Sequence, residues 1–276
     1  MLFALPFPAI DPIIVEFGPF AIRWYALAYV VGLILGWRYM LHLARRVPDI
    51  MTAQEVDDFL LWVTVGVILG GRLGYVLFYN PGYFLNHPLQ IFAVWQGGMS
   101  FHGGLIGVIT GLIAFCTLRK RSILRVGDLL VCAVPIGLLL GRIANFINGE
   151  LYGRPSDVPW AMVFPNGGPV PRHPSQIYQA FGEGLVLFVL LFAMAHYSRA
   201  PLRPGLLGGT FLVGYGIARS IMELFRMPDQ QLGYLIGGAT MGQLLSLPLI
   251  LAGLWLIAVA MKHPPLPPGQ AAPRAK

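Results

Sequence analysis

The stretch that decides the fold is residues 128–147, DLLVCAVPIGLLLGRIANFI, which is almost entirely apolar. A helix of about 20 mostly apolar residues is long enough to cross the hydrocarbon core of a bilayer. Only Asp128 and Arg142 carry charge in this run, and Arg142 interrupts it near its end. A charge within a membrane helix costs about 2.5–3.5 kcal/mol on insertion scales, so Arg142 indicates a functional role.

Six other stretches have a similar length and character. They are approximately Phe20–Leu43, Asp58–Tyr79, Gly98–Leu118, Gln176–Tyr197, Leu206–Phe225 and Gly237–Met261. The composition agrees, because 56% of the residues are hydrophobic and only 11% are charged, whereas a soluble domain has about 25% charged residues. We predict an all-α integral membrane protein with about seven transmembrane helices.

Basic residues predict the orientation of these helices. Twelve of the 19 lie in alternate loops or in the C-terminal tail: Arg38, Arg45, Arg46, Arg119, Lys120, Arg121, Arg125, Arg199, Arg203, Lys262, Arg274 and Lys276. Loops rich in Lys and Arg face the cytoplasm, so the N-terminus is predicted outside and the C-terminus inside. The net charge of +7 is then a feature of topology, and no nucleic acid partner is expected.

The regions outside the helices complete the predicted organisation. Residues 1–19 are rich in proline and lack a basic start, which predicts a periplasmic or interfacial arm rather than a cleavable signal peptide. Residues 20–261 are expected to form one seven-span membrane domain, within which the Gly- and Pro-rich stretch 148–175 predicts a small periplasmic head loop. The Pro-rich residues 262–276 predict a disordered cytoplasmic tail.

Seven basic residues remain within spans or on the outer side, and all are arginine. They are Arg23, Arg72, Arg142, Arg154, Arg172, Arg219 and Arg226. The guanidinium presents a planar fork of donors that suits phosphate, which favours a phosphate-bearing ligand such as a lipid headgroup. The alternative is structural pairing and snorkelling at helix ends, with most weight at Arg23, Arg154 and Arg172. Arg72 has no assignable role from sequence.

The strongest polar motif is residues 141–154, GRIANFINGELYGR. Arg142 and Asn145 are three apart, so they share a helix face. Asn148, Glu150 and Gly153 follow in the predicted turn. Amides and a guanidinium can share the oxygens of one phosphate and one glycerol, and a purely structural helix end would not need so many polar groups.

Five other residues are candidates. His102 opens the run HGGLIG, where the flanking glycines leave space for a ligand and imidazole suits a general base; a structural histidine is the alternative. Arg219 and Glu223 are four apart and are expected to pair, and Arg226 adds the next turn. Tyr25 lies at the outer interface, where an aromatic belt also explains it. No His, Cys and Asp cluster has metal-ligand spacing, so no metal or cofactor is predicted.

These motifs closely resemble those of the bacterial prolipoprotein diacylglyceryl transferase family. The family signature G-R-x-x-N-F-x-N-x-E-x-x-G is matched in full at 141–153, and H-G-G-L-I-G is matched at 102–107. R-H-P-S-Q appears at 172–176, and the late Y-G-x-x-R…E-x-x-R run appears at 215–226. The resemblance covers nearly the whole chain in family order, although the stretch 160–172 is short and implies a smaller head.

The resemblance implies an enzyme of the bacterial inner membrane. It would transfer the sn-1,2-diacylglyceryl group from phosphatidylglycerol to the lipobox cysteine of a prolipoprotein signal peptide, and release glycerol 1-phosphate. His102, Arg142 and Arg219 match catalytic positions. Tyr25, Asn145, Glu150 and Gly153 match other positions implicated in activity, and Arg226 is a further candidate. Glu223 joins the expected substrate-binding residues because it would hold Arg219 in place. Whether His102 or a thiol pKa lowered by arginine activates the cysteine stays open.

Two other function classes fit an arginine-bearing membrane protein. A polytopic transporter of an anionic solute or lipid also places arginines in its spans, but no internal repeat is visible. An intramembrane protease needs an embedded nucleophile with a base, or paired aspartates. Ser100 lies too close in sequence to His102 for a dyad between spans, and Asp128 has no obvious partner.

Overall fold

The computed structural model describes residues 5–8, 10–18, 20–227, 233 and 235–267. Its α-helices are α1 (Trp24–Arg46), α2 (Ala53–Phe78), α3 (Pro81–Asn86), α4 (Phe101–Arg119), α5 (Ile123–Ile147), α6 (Ser175–Gln179), α7 (Leu187–Tyr197), α8 (Leu206–Met222) and α9 (Met241–Lys262). A π-helical segment, Ala180–Val186, joins α6 and α7 into one continuous helix. Parts of the predicted arm (residues 1–4, 9 and 19) and of the predicted tail (268–276) lie outside the described residues.

Six helices of the described chain are long and apolar enough to cross a membrane. They are α1, α2, α4, α5, the continuous helix Ser175–Tyr197 and α9. The predicted class, a mostly helical integral membrane protein, is confirmed. Helix α8 is also apolar but has only 17 residues, because the predicted span Leu206–Phe225 turns out of the helix after Met222. The count of seven and the orientation stay predictions.

The predicted helix ends are wrong by a few residues where local pairing intervenes. α1 begins at Trp24 rather than Phe20, because strand β3 (Phe20–Arg23) pairs antiparallel with β2 (Ile13–Phe17). α2 begins five residues early, because the Thr52 hydroxyl accepts from the Glu55 amide and the Glu55 carboxylate accepts from the Thr52 amide. This reciprocal cap satisfies two amides that a helix start leaves unbonded. A short parallel pair joins β1 (Leu5–Pro6) and β4 (Met162–Val163).

The described chain divides into two compact units. The first comprises Met1–Met40 and Asp128–Leu266, and the second comprises Leu41–Gly127 and Pro267–Lys276. In the first unit, the buried Asp128 carboxylate accepts hydrogen bonds from the backbone amides of Gly205 and Gly208, at 2.8 and 2.7 Å. A carboxylate at a helix N-terminus is favoured by the helix dipole. Asp128 therefore has a structural partner at the start of α8, far away in sequence.

In the second unit, α2 and α4 pack through their glycine stripes. A Cβ atom on Gly74 would lie 2.8 Å from the Gly103 Cα, and one on Gly70 would lie 2.8 Å from the Gly107 Cα. Only glycine permits backbones to approach this closely. The glycines after His102 thus serve helix packing, so the expectation that they leave space for a ligand is wrong on the face that α2 covers.

Arg72 ties the connection between α2 and α4 to α2. Its side chain donates to four backbone carbonyl oxygens at 2.5–3.1 Å, those of Gln90, Ile91, Gly97 and Gly98. Its guanidinium carbon also lies 5.2 Å from the centre of the Phe84 ring. Arg72 is 5% exposed, and these neutral partners satisfy its donors. The role that the sequence left open is therefore structural.

Candidate active site

The centre of the candidate site is a buried carboxylate between two predicted arginines. Glu183, in the π-helical segment, is 0% exposed. Its Oε2 lies 3.2 Å from Nη2 of Arg142 on α5, and its Oε1 lies 3.6 Å from Nη1 of Arg219 on α8. A buried carboxylate is tolerated only when opposite charges and hydrogen bonds compensate it. The structure thus brings Arg142 and Arg219 together across Glu183.

A second carboxylate extends this group. Glu223 Oε2 lies 2.9 Å from Arg219 Nη2, which confirms the predicted pair, and 3.9 Å from Arg226 Nη1. We call Arg142, Glu183, Arg219, Glu223 and Arg226 the arginine–glutamate cluster. Its three guanidiniums outnumber its two carboxylates by one charge. Guanidinium donors of this kind suit the oxygens of an anionic group such as a phosphodiester.

Several polar atoms of the cluster lack hydrogen bonds within the described part of the chain. They are Glu183 Oε1, Arg219 Nη1 and Glu223 Oε2, all buried. The 3.6 Å contact between Glu183 and Arg219 is an ion pair but is too long for a hydrogen bond. Arg219 thus has a donor that its carboxylates do not fully use, and such a donor is able to bind an anionic ligand.

The π-helical segment explains how Glu183 reaches two helices at once. A Cβ atom on Gly184 would lie 2.7 Å from the Leu139 Cβ of α5, and one on Gly182 would lie 3.0 Å from the Met222 Cε of α8. The two glycines let the helix approach α5 and α8 closely, and Glu183 lies between them. π-helical turns are frequent at functional sites.

The sequence patterns did not single out Glu183, although a signal was present. Glu183 is an acidic residue inside the predicted span Gln176–Tyr197. The rule that selected the arginines, that a charge in a membrane helix needs a partner and a purpose, applies to Glu183 equally. Its partner Arg142 is 41 residues away in the chain, so the pairing itself has no spacing signature.

A second polar group forms at the end of α5. Asn145 Nδ2 donates to Glu150 Oε1 at 2.8 Å, and Asn148 Nδ2 donates to the same oxygen at 3.4 Å. The backbone carbonyl of Glu150 accepts from Gln176 Nε2 at 2.6 Å. The predicted motif therefore folds into one connected network, which we call the amide–carboxylate group (Asn145, Asn148 and Glu150).

Gly153 joins the head loop to the end of α8. It forms an antiparallel bridge with Arg226, and its amide donates to the His173 carbonyl at 2.9 Å. A Cβ atom at Gly153 would lie 2.5 Å from the Phe225 carbonyl oxygen and 2.7 Å from the His173 Cβ. Only glycine fits this crossing, so Gly153 acts on the site through the placement of Arg226.

Two arginines of the head loop donate to backbone carbonyls. Arg154 binds the Arg226 carbonyl through Nε at 2.9 Å and the Glu223 carbonyl through Nη2 at 3.3 Å. Arg172 binds the Gly167 carbonyl at 3.0 Å and the Gly153 carbonyl at 3.4 Å. The Arg154 contacts fasten the loop to the chain segment that carries Glu223 and Arg226, and the Arg172 contacts join two parts of the loop itself. Both sets of contacts fit the structural alternative.

The remaining candidates lie at helix starts. Tyr25, in the first turn of α1, has its hydroxyl 3.5 Å from that of Tyr29. His102 is the second residue of α4 and is exposed, with its ring 5.6 Å from that of Phe101. His102 belongs to the second unit, whereas the other predicted site residues belong to the first.

The described residues contain no group of three or more His, Cys, Asp or Glu that could hold a metal ion. The site is instead built from paired arginines and carboxylates on apolar helices. Fold and site together define an integral membrane protein with a partly buried arginine–glutamate cluster whose donors suit an anionic group.

The comparisons with known proteins identify the family. The family model described as prolipoprotein diacylglyceryl transferase matches residues 12–259, so the chain belongs to that family. A relative from Paramagnetospirillum magneticum, named phosphatidylglycerol–prolipoprotein diacylglyceryl transferase, is 62% identical over 95% of this chain and 98% of its own length. Relatives of the same name from Rhodospirillum rubrum and Azospirillum brasilense are 60% and 58% identical, over 96% and 95% of this chain and 98% and 99% of their own lengths.

Proposed function

We propose that this chain is a membrane-embedded transferase of the bacterial inner membrane. It moves the sn-1,2-diacylglyceryl group of phosphatidylglycerol to the thiol of a lipobox cysteine in a prolipoprotein signal peptide. The names of its relatives support this activity and give no support to the transporter alternative. The observation that carries the proposal is the convergence of Arg142 and Arg219 on the buried Glu183.

The reaction is a displacement at carbon. The cysteine sulfur attacks the glyceryl carbon that bears the phosphate ester, a C–S bond forms and the C–O bond breaks. The electron pair leaves on the phosphate oxygen, so glycerol 1-phosphate departs with one additional negative charge, and the thiol proton passes to a base. Arg142 and Arg219 neutralise that developing charge with donors that are already in place.

Fixed geometry is the contribution of the two carboxylates. Two guanidiniums at one site repel each other and would turn towards water if nothing held them. Glu183 binds both, and Glu223 holds Arg219 from its other side. Donors that are oriented before the substrate arrives need no reorganisation during the reaction, which is the main source of electrostatic catalysis.

The thiol must also lose its proton. A free cysteine has a pKa of about 8.5, and neighbouring positive charge raises the thiolate fraction. Two alternatives are proposed for this step: the arginine–glutamate cluster supplies such a field, or His102 acts as the base. The amide–carboxylate group, Tyr25 and Gly153 are the proposed surroundings of the headgroup. We assign no step to a metal or a cofactor.

The proposed topology has seven spans, with the N-terminus outside and the C-terminus inside. It keeps the arm (1–19), the catalytic membrane domain (20–261) with its periplasmic head loop (148–175), and the cytoplasmic tail (262–276). At about 1.5 Å per residue, the 17 residues of α8 reach roughly 25 Å, slightly less than the roughly 30 Å hydrocarbon core. Glu223 and Arg226 would then lie at the outer boundary, where a secreted peptide and a lipid headgroup meet.

A reconstituted assay tests this function. Purified protein in detergent with phosphatidylglycerol and a lipobox peptide is expected to release glycerol phosphate and to add one diacylglyceryl mass to the peptide. Arg142→Ala and His102→Gln are expected to abolish both signals. Arg119→Ala is the matched control, because that arginine pairs with Asp58 on an exposed surface. No product from the wild type, or undiminished product from Arg142→Ala, would refute the proposal.

A further inference from the structure

The contacts of the buried Gln179 amide do not explain why the fold keeps a polar group at this position. Gln179 is 0% exposed, and neither its Nε2 nor its Oε1 has a hydrogen-bond partner among the residues that the structure describes. More than nine in ten buried polar groups in proteins are paired, so an orphaned one needs an explanation. An amide at this position is costly to the fold unless a ligand uses it.

The neighbours of Gln179 on its helix face both reach the candidate site. Gln176 precedes it by three residues and Glu183 follows it by four, and such spacings share one face. Gln176 Nε2 donates to the Glu150 carbonyl, and Glu183 pairs with Arg142 and Arg219. The side chains of Gln176, Gln179 and Glu183 are all fully buried. Gln179 therefore lies between the amide–carboxylate group and the arginine–glutamate cluster, about 6 Å along the helix from Glu183.

The chemistry of an amide differs from that of the arginines beside it. A guanidinium only donates hydrogen bonds, which suits phosphate oxygens, whereas a glutamine amide both donates and accepts. A hydroxyl group also both donates and accepts, so Gln179 complements an alcohol rather than a phosphate. The headgroup of phosphatidylglycerol carries two hydroxyls next to its phosphodiester.

We propose that Gln179 is a substrate-binding residue that hydrogen-bonds the hydroxyls of the headgroup glycerol and thereby selects phosphatidylglycerol among anionic phospholipids. This inference rests on the proposed function and names the specificity determinant of the same site. In this arrangement the cluster binds the phosphodiester charge, and Gln179 binds the neutral end of the headgroup.

Phosphatidylpropanol is the probe that separates these two parts. It has the same diacylglyceryl group and the same single phosphodiester charge but lacks both hydroxyls. The same C–O bond breaks when it reacts, and propyl phosphate leaves. A site that hydrogen-bonds a substrate hydroxyl discriminates strongly against an analogue that lacks it. We expect wild-type kcat/KM to be at least about 10-fold higher for phosphatidylglycerol.

Gln179→Met removes the amide and keeps a side chain of similar length. Its kcat/KM is expected to fall about 10-fold with phosphatidylglycerol, mainly through KM, and to change less than about 2-fold with phosphatidylpropanol. The variant is therefore expected to lose the preference for phosphatidylglycerol over phosphatidylpropanol. The thermal unfolding temperature is expected to stay or rise, since an apolar group replaces an unpaired buried amide.

Gln176→Met is the matched control on the same face. It removes the hydrogen bond to the Glu150 carbonyl and is expected to lower the unfolding temperature. An equal loss of Gln179→Met activity on both lipids, or a fall in its unfolding temperature like that of Gln176→Met, would overturn the inference. So would a wild type without lipid preference, a test that needs no variant. A wild type inactive on both lipids would instead refute the proposed function.

Discussion

Two arginine environments in this protein differ in what receives their hydrogen bonds. Arg72 in the second unit donates to four neutral backbone carbonyls at 2.5–3.1 Å. Arg142 and Arg219 in the first unit face carboxylates at 2.9–3.6 Å, and Arg219 Nη1 makes no hydrogen bond within the described chain. In the sequence, all three arginines interrupt apolar stretches in the same way. We propose that a charged partner and an unused donor distinguish an arginine that binds substrate from a structural one.

The largest expected effect comes from neutralising a cluster arginine. Arg219→Gln is expected to lower diacylglyceryl transfer by about 10²–10³-fold, the usual loss when one preorganised donor to a developing anion is removed. Glycerol phosphate release measures it, with Arg119→Gln as the exposed control. A loss below about 5-fold would mean that Arg219 belongs with Arg72, as a structural residue.

The opposite pattern is expected at Arg72. Arg72→Gln leaves several part-buried carbonyls without their donors, and an unmet buried group costs up to about 1–3 kcal/mol. The thermal unfolding temperature in detergent is expected to fall by several degrees, while activity per folded molecule changes less than about 3-fold. A folded Arg72→Gln protein with lost activity would erase the distinction between the two environments.

A smaller effect is expected where the cluster meets α9. A Cβ atom on Gly242 would lie 2.8 Å from Glu223 Oε2 and 3.2 Å from Arg219 Nη2. Gly242→Ala is therefore expected to displace this pair and to lower kcat by about 10-fold, because small misplacements of positioning groups cost large factors. Gly82→Ala is the control, since nothing lies within 4 Å of the added atom. Equal activities of the two variants would show that the pair is not held rigidly.

The smallest expected effect concerns the loop beside the cluster. Burial lowers the pKa of His173, and the charge of Asp157 opposes this effect only partly. The unfolded chain then binds a proton more readily, so the stability from neutral His173 is complete above the unfolded pKa of about 6.5 and is lost as the pH falls through the folded pKa. The unfolding temperature is expected to fall between pH 7 and pH 5, and this fall is expected to be roughly 1 °C smaller in His173→Gln than in the wild type. An unchanged difference would contradict this.

The sequence predicts most of the fold and four of the five cluster residues, but not Glu183 or the contacts that it makes. Apolar runs identify the helices because the bilayer imposes length and composition, and the spacing of Arg219 and Glu223 predicts their pair. The contact between Arg142 and Glu183 spans 41 residues, and no periodicity encodes it. For the same reason the sequence did not reveal the backbone partners of Arg72 or Asp128, since backbone carbonyls and amides leave no mark on side-chain patterns. The predicted start of α1 is too early because the apolar residues of the β2–β3 hairpin resemble the start of a transmembrane helix in sequence.

The central claim is that the arginine–glutamate cluster binds the phosphodiester of the lipid. The most direct measurement is equilibrium binding of phosphatidylglycerol by native mass spectrometry to the wild type, Arg142→Gln, Arg219→Gln and Arg72→Gln, each confirmed as folded. We predict that the Kd for phosphatidylglycerol is at least about 10-fold higher in both cluster variants than in the wild type. The Kd of Arg72→Gln is expected to match that of the wild type. Cluster variants that bind the lipid as tightly as the wild type would contradict the account.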